Sequence, residues 1–594
     1  MGLLLAVACL TSCAAAPPPA PGPGPAASAL PEPVAEADIT VFHARKIITM
    51  EPALPEARVV AVRDGRILGV GRDLGDLRAW IANEPYRLDG TLADKVLLPG
   101  LIDPHLHPML GALLLPMEVI APTDWELPGG VAPGVRDRAT YLAKLRALAA
   151  DWPDPKKPIL TWGYHDLWHG KLRRADLDAI SDTIPIIVFQ RSFHEQILNT
   201  PALRLGGIDP DAETTLELPP GVDPAHIDVE GGHFMETAAP IVLSRYGSIL
   251  FAPERVAEGL AIVREMAHRA GITTIADMAL GLTGDMDAEA TLFARVFELG
   301  DAPFRLVLIP TAGVMALTGL EGDELVVAAD ALSARHGSDR IRIGGHIKLL
   351  ADGAFYARLM QMGPPGYPDD QHGAWLTEPD VLMQQARAFW NAGYDIHIHV
   401  NGDAGLDVVL DTLAALLEEK NRPDHRVSLE HLGFATEDQT RRIARLGAVV
   451  SAQPYYLYVL GDKYADLGLG WDRSSQIARL GSLVRKNVPV TLHSDLPMAP
   501  SQPLRLAWVA ANRVTMNGTL MAPSERLTVE QALRAITIDA AWVLRMEDEI
   551  GSIRAGKRAD FAVLEADPYE VGAAGLADIG IWGTVFEGAL RPVD

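Results

Sequence analysis

His105 and His107 stand one residue apart in LPGLIDPHLHPML (98–110), at the end of an apolar run and just after Asp103. Imidazole titrates near neutral pH and is a common ligand for divalent ions. Residues two apart on a strand share a face, so Asp103, His105 and His107 are expected to point the same way. The signature recurs at later apolar runs. IHIHVNGD groups His397 with His399, and GGHIKLLADG groups His346 with Lys348. SLEHLG ends on Glu430-His431, and TLHSDLP places His493 and Asp495 on one face. Each has a plain explanation. A lone His-x-His is commonly local hydrogen bonding, a strand-end lysine can snorkel to a rim, Asp495 can be a turn residue, and Glu430-His431 can be a satisfied core pair. These explanations must hold independently at each strand end, whereas one metal centre accounts for all of them. Imidazole and carboxylate suit zinc and related divalent ions. Lys348 differs, because an ammonium cannot ligate a cation. A lysine buried near metal loses its proton and could then take up carbon dioxide to form a bridging carbamate. As a plain lysine it would contact substrate or a carboxylate.

The elements that must position these groups alternate. PERVAEGLAIVREMAHRAG has helical periodicity, stops at Gly271 and precedes ITTIADMAL. Helices near 379–392, 404–420, 437–446 and 475–487 each precede a short apolar run that carries or adjoins a candidate residue. Helix then buried strand, repeated, argues for a parallel sheet with helices outside. About eight such units suit a (β/α)₈ TIM-like barrel with insertions, whose active site lies at the strand C-termini. A doubly wound sheet is the alternative, but no Gly-rich phosphate loop follows an early strand. The barrel is expected over 98–544. Residues 38–97 read as antiparallel strands with a tight turn at Asp64-Gly65, and 545–594 reads similarly. Both ends are expected to share one small β-sandwich domain, giving an α/β chain overall.

The chain has 594 residues, 48% of them hydrophobic, with 77 acidic against 52 basic side chains. A formal charge of -25 leaves no basic surplus to neutralise phosphate, so nucleic acid is not an expected partner. The two cysteines are Cys9 and Cys13, which restricts any metal in the body to His, carboxylate and oxygen ligands. MGLLLAVACLTSC (1–13) is an apolar run too short to span a bilayer. It ends in a stretch resembling the lipobox of bacterial lipoproteins, although no Lys or Arg precedes it. That resemblance implies a lipid anchor at Cys13, export and a periplasmic address. A Pro/Ala-rich tether follows over 14–37.

Taken together, LPGLIDPHLHP, GYHDLWHGKLRRADLDAIS, FQRSFHEQILNTPAL, IKLLADGAF, HIHVNGDAG, LEHLGFA, AQPYYL, HSDLPMAP and GSIRAGKRADFAVL resemble the amidohydrolase superfamily. The nearer resemblance is to its amidohydrolase 3 subgroup, the YtcJ-like and N-substituted formamide deformylase-like proteins. It covers nearly everything after the tether. It implies a metal-dependent hydrolase cleaving non-peptide carbon–nitrogen bonds. His105 and His107 would be first-strand ligands, Lys348 the fourth-strand lysine, His399 and His431 the fifth- and sixth-strand ligands, and Asp495 both ligand and proton shuttle. The implied cofactor is zinc or another divalent ion, one or two, with Lys348 carbamylated. His194 matches a second-strand histidine that meets substrate or the transition state. Asp103, Asp352, His397 and Glu430 are expected to support the ligands from behind or meet substrate. His397 departs from the subgroup, which usually has a small residue there, so an alternative ligand role stays open.

Metal-activated hydroxide would attack a small-molecule amide, with Asp495 acting as base and then acid. Ester or lactone hydrolysis or isomerisation at the same centre, and a non-catalytic binding lipoprotein, are the rival readings. Tyr164, His165, Trp168, Phe355, Tyr356, Tyr455 and Tyr456 are candidate walls. DWELPGGVAPG and GLEGDEL are candidate covering loops. A homo-oligomer is left open.

Overall fold

The computed structural model describes residues 30–211, 216, 218–219, 222–367 and 372–593. The signal-type segment 1–13 and the tether up to residue 29 lie outside them. The end of the tether carries structure, contrary to expectation. Val34 N donates to Tyr86 O (2.9 Å), and Leu30 packs against a cluster containing Ile39, Val41 and Val59.

Both ends of the chain build one eight-stranded sheet. Asp64 and Gly65, at φ 51° and 71°, turn the hairpin between Glu56–Arg63 and Arg66–Gly71. Paired positive φ values are what an Asp-Gly hairpin turn demands. The expectation of purely antiparallel strands over 38–97 is wrong for Tyr86–Asp89 and Val96–Pro99. Both run parallel to Ile39–Ile48. Val96–Pro99 also pairs antiparallel with Phe561–Leu564, joining the two chain ends. Alternation feeds two apolar clusters, with Phe42, Ala44 and Val60 in one and Val41, Val59 and Ala61 in the other, on opposite faces.

Two parallel sheets carry the candidate residues. The first has the order Ile341–Ile343, Arg305–Pro310, Ile272–Leu280, Leu101–Leu106. The second runs His346–Leu350, Asp395–Val400, Ser428–His431, Val449–Ala452, Val490–Leu492. An isolated parallel bridge, Thr311 with Lys348, links them on one side. On the other side the segment beyond the last strand meets the first through backbone bonds, Asp495 N donating to His105 O (3.0 Å) and His107 N to Leu496 O (2.9 Å), and through the Asp103 side chain. The architecture is α/β, and the hydrogen-bonded ladder is not continuous around a ring.

Between the first and second of these strands in chain order lies an inserted six-stranded sheet. It includes Ile159–Tyr164, Ile186–Gln190 and Glu195–Leu198. The helices follow their end signals. Glu437–Leu446 starts on a Thr436/Gln439 capping box and stops at Gly447, left-handed at φ 74°. Pro379–Ala392 stops at Gly393, left-handed at φ 89°. The helix expected over 475–487 shrinks to Leu480–Val484. The carbonyls of Ser475, Ile477 and Ala478 instead accept from the buried Arg513 guanidinium, and Ala478 sits at φ 49°. Burying a charge requires such partners, and that demand overrides local helical preference.

Candidate metal centre

His105, His107, Lys348, His399, His431 and Asp495 line one cavity of about 270 Å³. They come from the C-terminal ends of strands in both parallel sheets and from the loop after Val490–Leu492. Asp495 Oδ1 lies 3.0 Å from His107 Nε2 and 3.6 Å from His105 Nε2; its Oδ2 lies 3.6 Å from His431 Nδ1. The rings of His105 and His431 are 4.6 Å apart, and those of His399 and His431 are 4.5 Å apart. His431 and Asp495 occupy the left-handed region at φ 72° and 56°, a strained conformation that clusters at functional sites.

Burial holds the His105, His399 and His431 imidazoles well below their ordinary value, with Lys348 adding repulsion to each. They are therefore neutral, the form that ligates metal. Burial likewise pushes the Lys348 amine down to about 8. Among the described residues, His105 Nε2, His107 Nδ1 and Lys348 Nζ are buried without a hydrogen-bond partner. Buried polar atoms are rarely left so, because desolvation goes uncompensated. The neutral imidazoles and the Asp495 carboxylate gathered on one apolar-walled cavity fit a divalent cation. His105, His107 and Asp495 bring ligand atoms within 4.8 Å of one another, as do His105, His431 and His493.

The supporting residues lie behind the cavity. Glu430, fully buried, meets His105 Nδ1 at 2.7 Å through Oε2 and His397 Nδ1 at 2.8 Å through Oε1. Burial opposes its charge, but the His397 hydrogen bond and nearby Lys348 prevail and hold the carboxyl below its ordinary value. An ionised carboxylate only accepts, so both imidazoles donate from Nδ1, and Nε2 of His105 is left for the cavity. His397 faces Glu430 and His346 (Nε2 to Nδ1, 3.1 Å), away from the cavity, which disfavours the alternative ligand role. Asp103 accepts from Ser494 N (3.1 Å), Ser494 Oγ (2.5 Å) and Ser501 Oγ (2.7 Å), anchoring the loop that presents Asp495. Burial raises its carboxyl to about 6. Asp352 accepts from the backbone N–H groups of Gln361, Asn401 and Gly402, fixing the turn after the strand of His399.

His194 reaches the same cavity by a different route from the one expected. It follows Ile186–Gln190 in the inserted sheet rather than a strand beside Leu101–Leu106. Its Nδ1 is 2.8 Å from Glu236 Oε2. Burial works against its charged form, but Glu236 outweighs that and the imidazole is raised. Glu236 was not foreseen, because nothing local links it to a residue 42 positions away. His493 was read only as sharing a face with Asp495. It meets His431 Nδ1 at 3.1 Å and Ser451 Oγ at 2.8 Å. Among the expected wall residues, Phe355, Tyr356 and Tyr456 line the cavity, with Phe355 stacked on Tyr456 at 4.1 Å. Tyr164, His165, Trp168 and Tyr455 pack elsewhere. Of the expected covering loops, 125–132 forms a small hairpin and 319–325 leads into the helix Asp323–Arg335; neither lines the cavity.

A cavity that gathers neutral imidazoles, a carboxylate and a neutralisable lysine at parallel strand ends defines a metal-dependent hydrolase. Comparison with known proteins gives the family. A profile of the amidohydrolase family matches residues 92–591, and the chain belongs to that family. It is 26% identical over 556 residues to the protein LONG AFTER FAR-RED 3 of Arabidopsis thaliana, covering 90% of this chain and 88% of that one. It is 25% identical over 586 residues to the N-substituted formamide deformylase of Arthrobacter pascens, covering 93% and 98%. Among solved structures, an uncharacterized metal-dependent hydrolase from Pyrococcus horikoshii OT3 shares the fold at a TM-score of 0.66. Identity there is 19%, over 90% of this chain and 99% of that one.

Proposed function

We propose that this enzyme hydrolyses an amide-type, non-peptide carbon–nitrogen bond in a small molecule carrying an apolar or aromatic group. The observation that carries the reading is the convergence of five histidines, four of them candidate ligands, with Lys348 and Asp495 on one apolar-walled cavity. The likeness to a relative named N-substituted formamide deformylase supports the choice of bond. His105, His107, His399, His431 and Asp495 would hold the metal, read as zinc, one ion or two. Lys348 would join as a carbamate, its neutral amine adding carbon dioxide and releasing a proton. Such an ion polarises a carbonyl oxygen and lowers the pKa of water from 15.7 toward about 7.

The protein's own groups do the rest. Asp495 takes the proton of the attacking water and returns it to the leaving nitrogen. His194, held through Nδ1 by Glu236, turns its other ring nitrogen to the oxygen on which charge develops. Phe355, Tyr356 and Tyr456 receive the apolar group. We read the two parallel sheets as one (β/α)₈ barrel with the inserted sheet outside it, counting Ile341–Ile343 and His346–Leu350 as one strand interrupted at Gly344-Gly345. The end sheet, with apolar clusters on both faces, is read as a small sandwich. We also read residues 1–13 as an export signal with Cys13 as a lipid anchor and a periplasmic address, which lipid labelling of wild type against Cys13→Ser tests.

Metal analysis of the purified protein, then a panel of amides, N-acyl amino acids, esters and lactones, tests the activity. Asp495→Asn should lower turnover about 10²–10⁴-fold while metal content falls only in part. Full activity of that variant removes Asp495 from the reaction, and turnover of esters or lactones alone removes the amide reading.

A further inference from the structure

Arg191 is a fully buried guanidinium with no carboxylate in hydrogen-bond contact among the described residues. It is 1% exposed. Its carbon lies 4.9 Å from the ring centre of Trp125, 4.7 Å from that of Trp162 and 5.3 Å from that of Tyr356. Such a planar cation stacks well on aromatic faces, which offset part of its lost hydration. Its hydrogen bonds go to backbone carbonyls, from Nη1 to Pro497 O (2.6 Å) and from Nη2 to Met498 O (2.7 Å). Those carbonyls belong to the turn that leaves Asp495. Met498 O also accepts from Tyr356 Oη (3.0 Å), and Met498 N donates to Asp495 O (2.6 Å).

A buried charge is expensive to place; the Arg191 main-chain N–H donates to Tyr164 O of the inserted sheet (2.8 Å), whereas its guanidinium hydrogen bonds reach out of that sheet to the 497–498 carbonyls. We propose that Arg191 is a positioning residue for Asp495, clamping the 495–498 turn against the inserted sheet while Asp103 anchors the same segment at Ser494 and Ser501. The cost of burying it then has a use. Asp495 sits at left-handed φ, and a backbone held there needs over-determination by its surroundings. The inserted sheet gains a role as well. The short run 191–194 carries the clamp, and its next residues, Ser192, Phe193 and His194, line the cavity. One element thus sets both the proton shuttle and the opposing wall. The inference rests on the role proposed for Asp495, but the clamp can be read without turnover or metal.

Hydrogen–deuterium exchange on the full-length, metal-free protein is the test. In wild type, peptides spanning 494–502 should be protected like the strands beneath them. In Arg191→Met and Arg191→Lys those peptides should exchange at least about tenfold faster, with peptides over 159–164 and 186–190 unchanged. Lysine keeps the charge but cannot reach both carbonyls from a planar fork, so it should fail like methionine. In the metal-loaded enzyme the same variants should lose kcat with KM little changed, the split expected when a proton-transfer group is misplaced. Rapid exchange of 494–502 in wild type would overturn the proposal, as would loosening confined to the inserted sheet. Wild-type behaviour of Arg191→Lys would overturn it too. Inactivity of the wild type on every substrate would count against the proposed reaction and leave the exchange result standing.

Discussion

Glu430→Gln probes the centre through a residue that never touches the cavity. The carboxylate gives one oxygen to His105 Nδ1 and the other to His397 Nδ1, at 2.7 and 2.8 Å, fully buried. Glutamine has the same shape but offers one acceptor and one N–H₂ donor. Only one imidazole N–H can then be satisfied, and the other faces an amide N–H₂. The loss is a hydrogen bond to a charged group together with an unpaired buried donor, about 1.5–3 kcal/mol. If His105 gives way, its proton moves to Nε2 and the lone pair aimed at the cavity disappears. Residues that fix the tautomer of a ligating histidine are commonly worth about 10–100-fold in metal affinity, which agrees with that energy at 1.4 kcal/mol per decade. Zinc affinity by chelator competition, with urea unfolding of the metal-free protein, reads both effects. Affinity should fall about 10–100-fold, and metal-free stability by about 1.5–3 kcal/mol. A Glu430→Gln variant that binds zinc as tightly as wild type would refute the claim that Glu430 sets the His105 tautomer.

Two further outcomes follow from the same geometry. Burial pushes Lys348 down to about 8 from an ordinary 10.5, so between those values the unfolded chain binds more protons than the folded one. Stability of the metal-free protein should therefore rise with pH across that window, and urea titrations at its two ends should show Lys348→Met removing the rise. Asp560 forms a buried pair with Arg305 that ties the end sheet to the first parallel sheet. Because Arg305 also donates to Glu587 (2.8 Å), Asp560→Asn should cost about 1.5–3 kcal/mol, read as a lower Tm, and a loss below about 1 kcal/mol would mean the pair behaves as an exposed one.

The candidate ligands were legible because a strand repeats every two residues. That periodicity, together with the barrel rule for strand C-termini, converts IDPHLHP, IHIHV and TLHSD into converging side chains before any fold is seen. All six expected ligands and His194 do line one cavity. Asp103 was legible for the same reason. Parity places a residue on a face, however, and does not say how deep along the strand it lies. His397 and His399 share a face by spacing, yet His397 sits beneath with Glu430 while His399 reaches the cavity.

What stayed illegible is carried by long-range pairs with no local pattern. Glu236 is a glutamate in an inserted segment until the sheet folds it onto His194. Arg191 reads as one arginine in FQRSFHEQ, and only the fold shows three aromatic rings and two carbonyls around it. The failed helix over 475–487 is the same lesson in the backbone, where the carbonyls needed for helical bonds are taken by Arg513. In both cases, among the described residues, a guanidinium is buried without a carboxylate in hydrogen-bond contact, and main-chain oxygens are fixed in return. The arginine pays in desolvation, and the backbone gains a conformation its own sequence would not choose. At Asp495 that conformation would aim the group proposed for proton transfer, so the arginine and the strained turn are read as one device, and removing either should release the other.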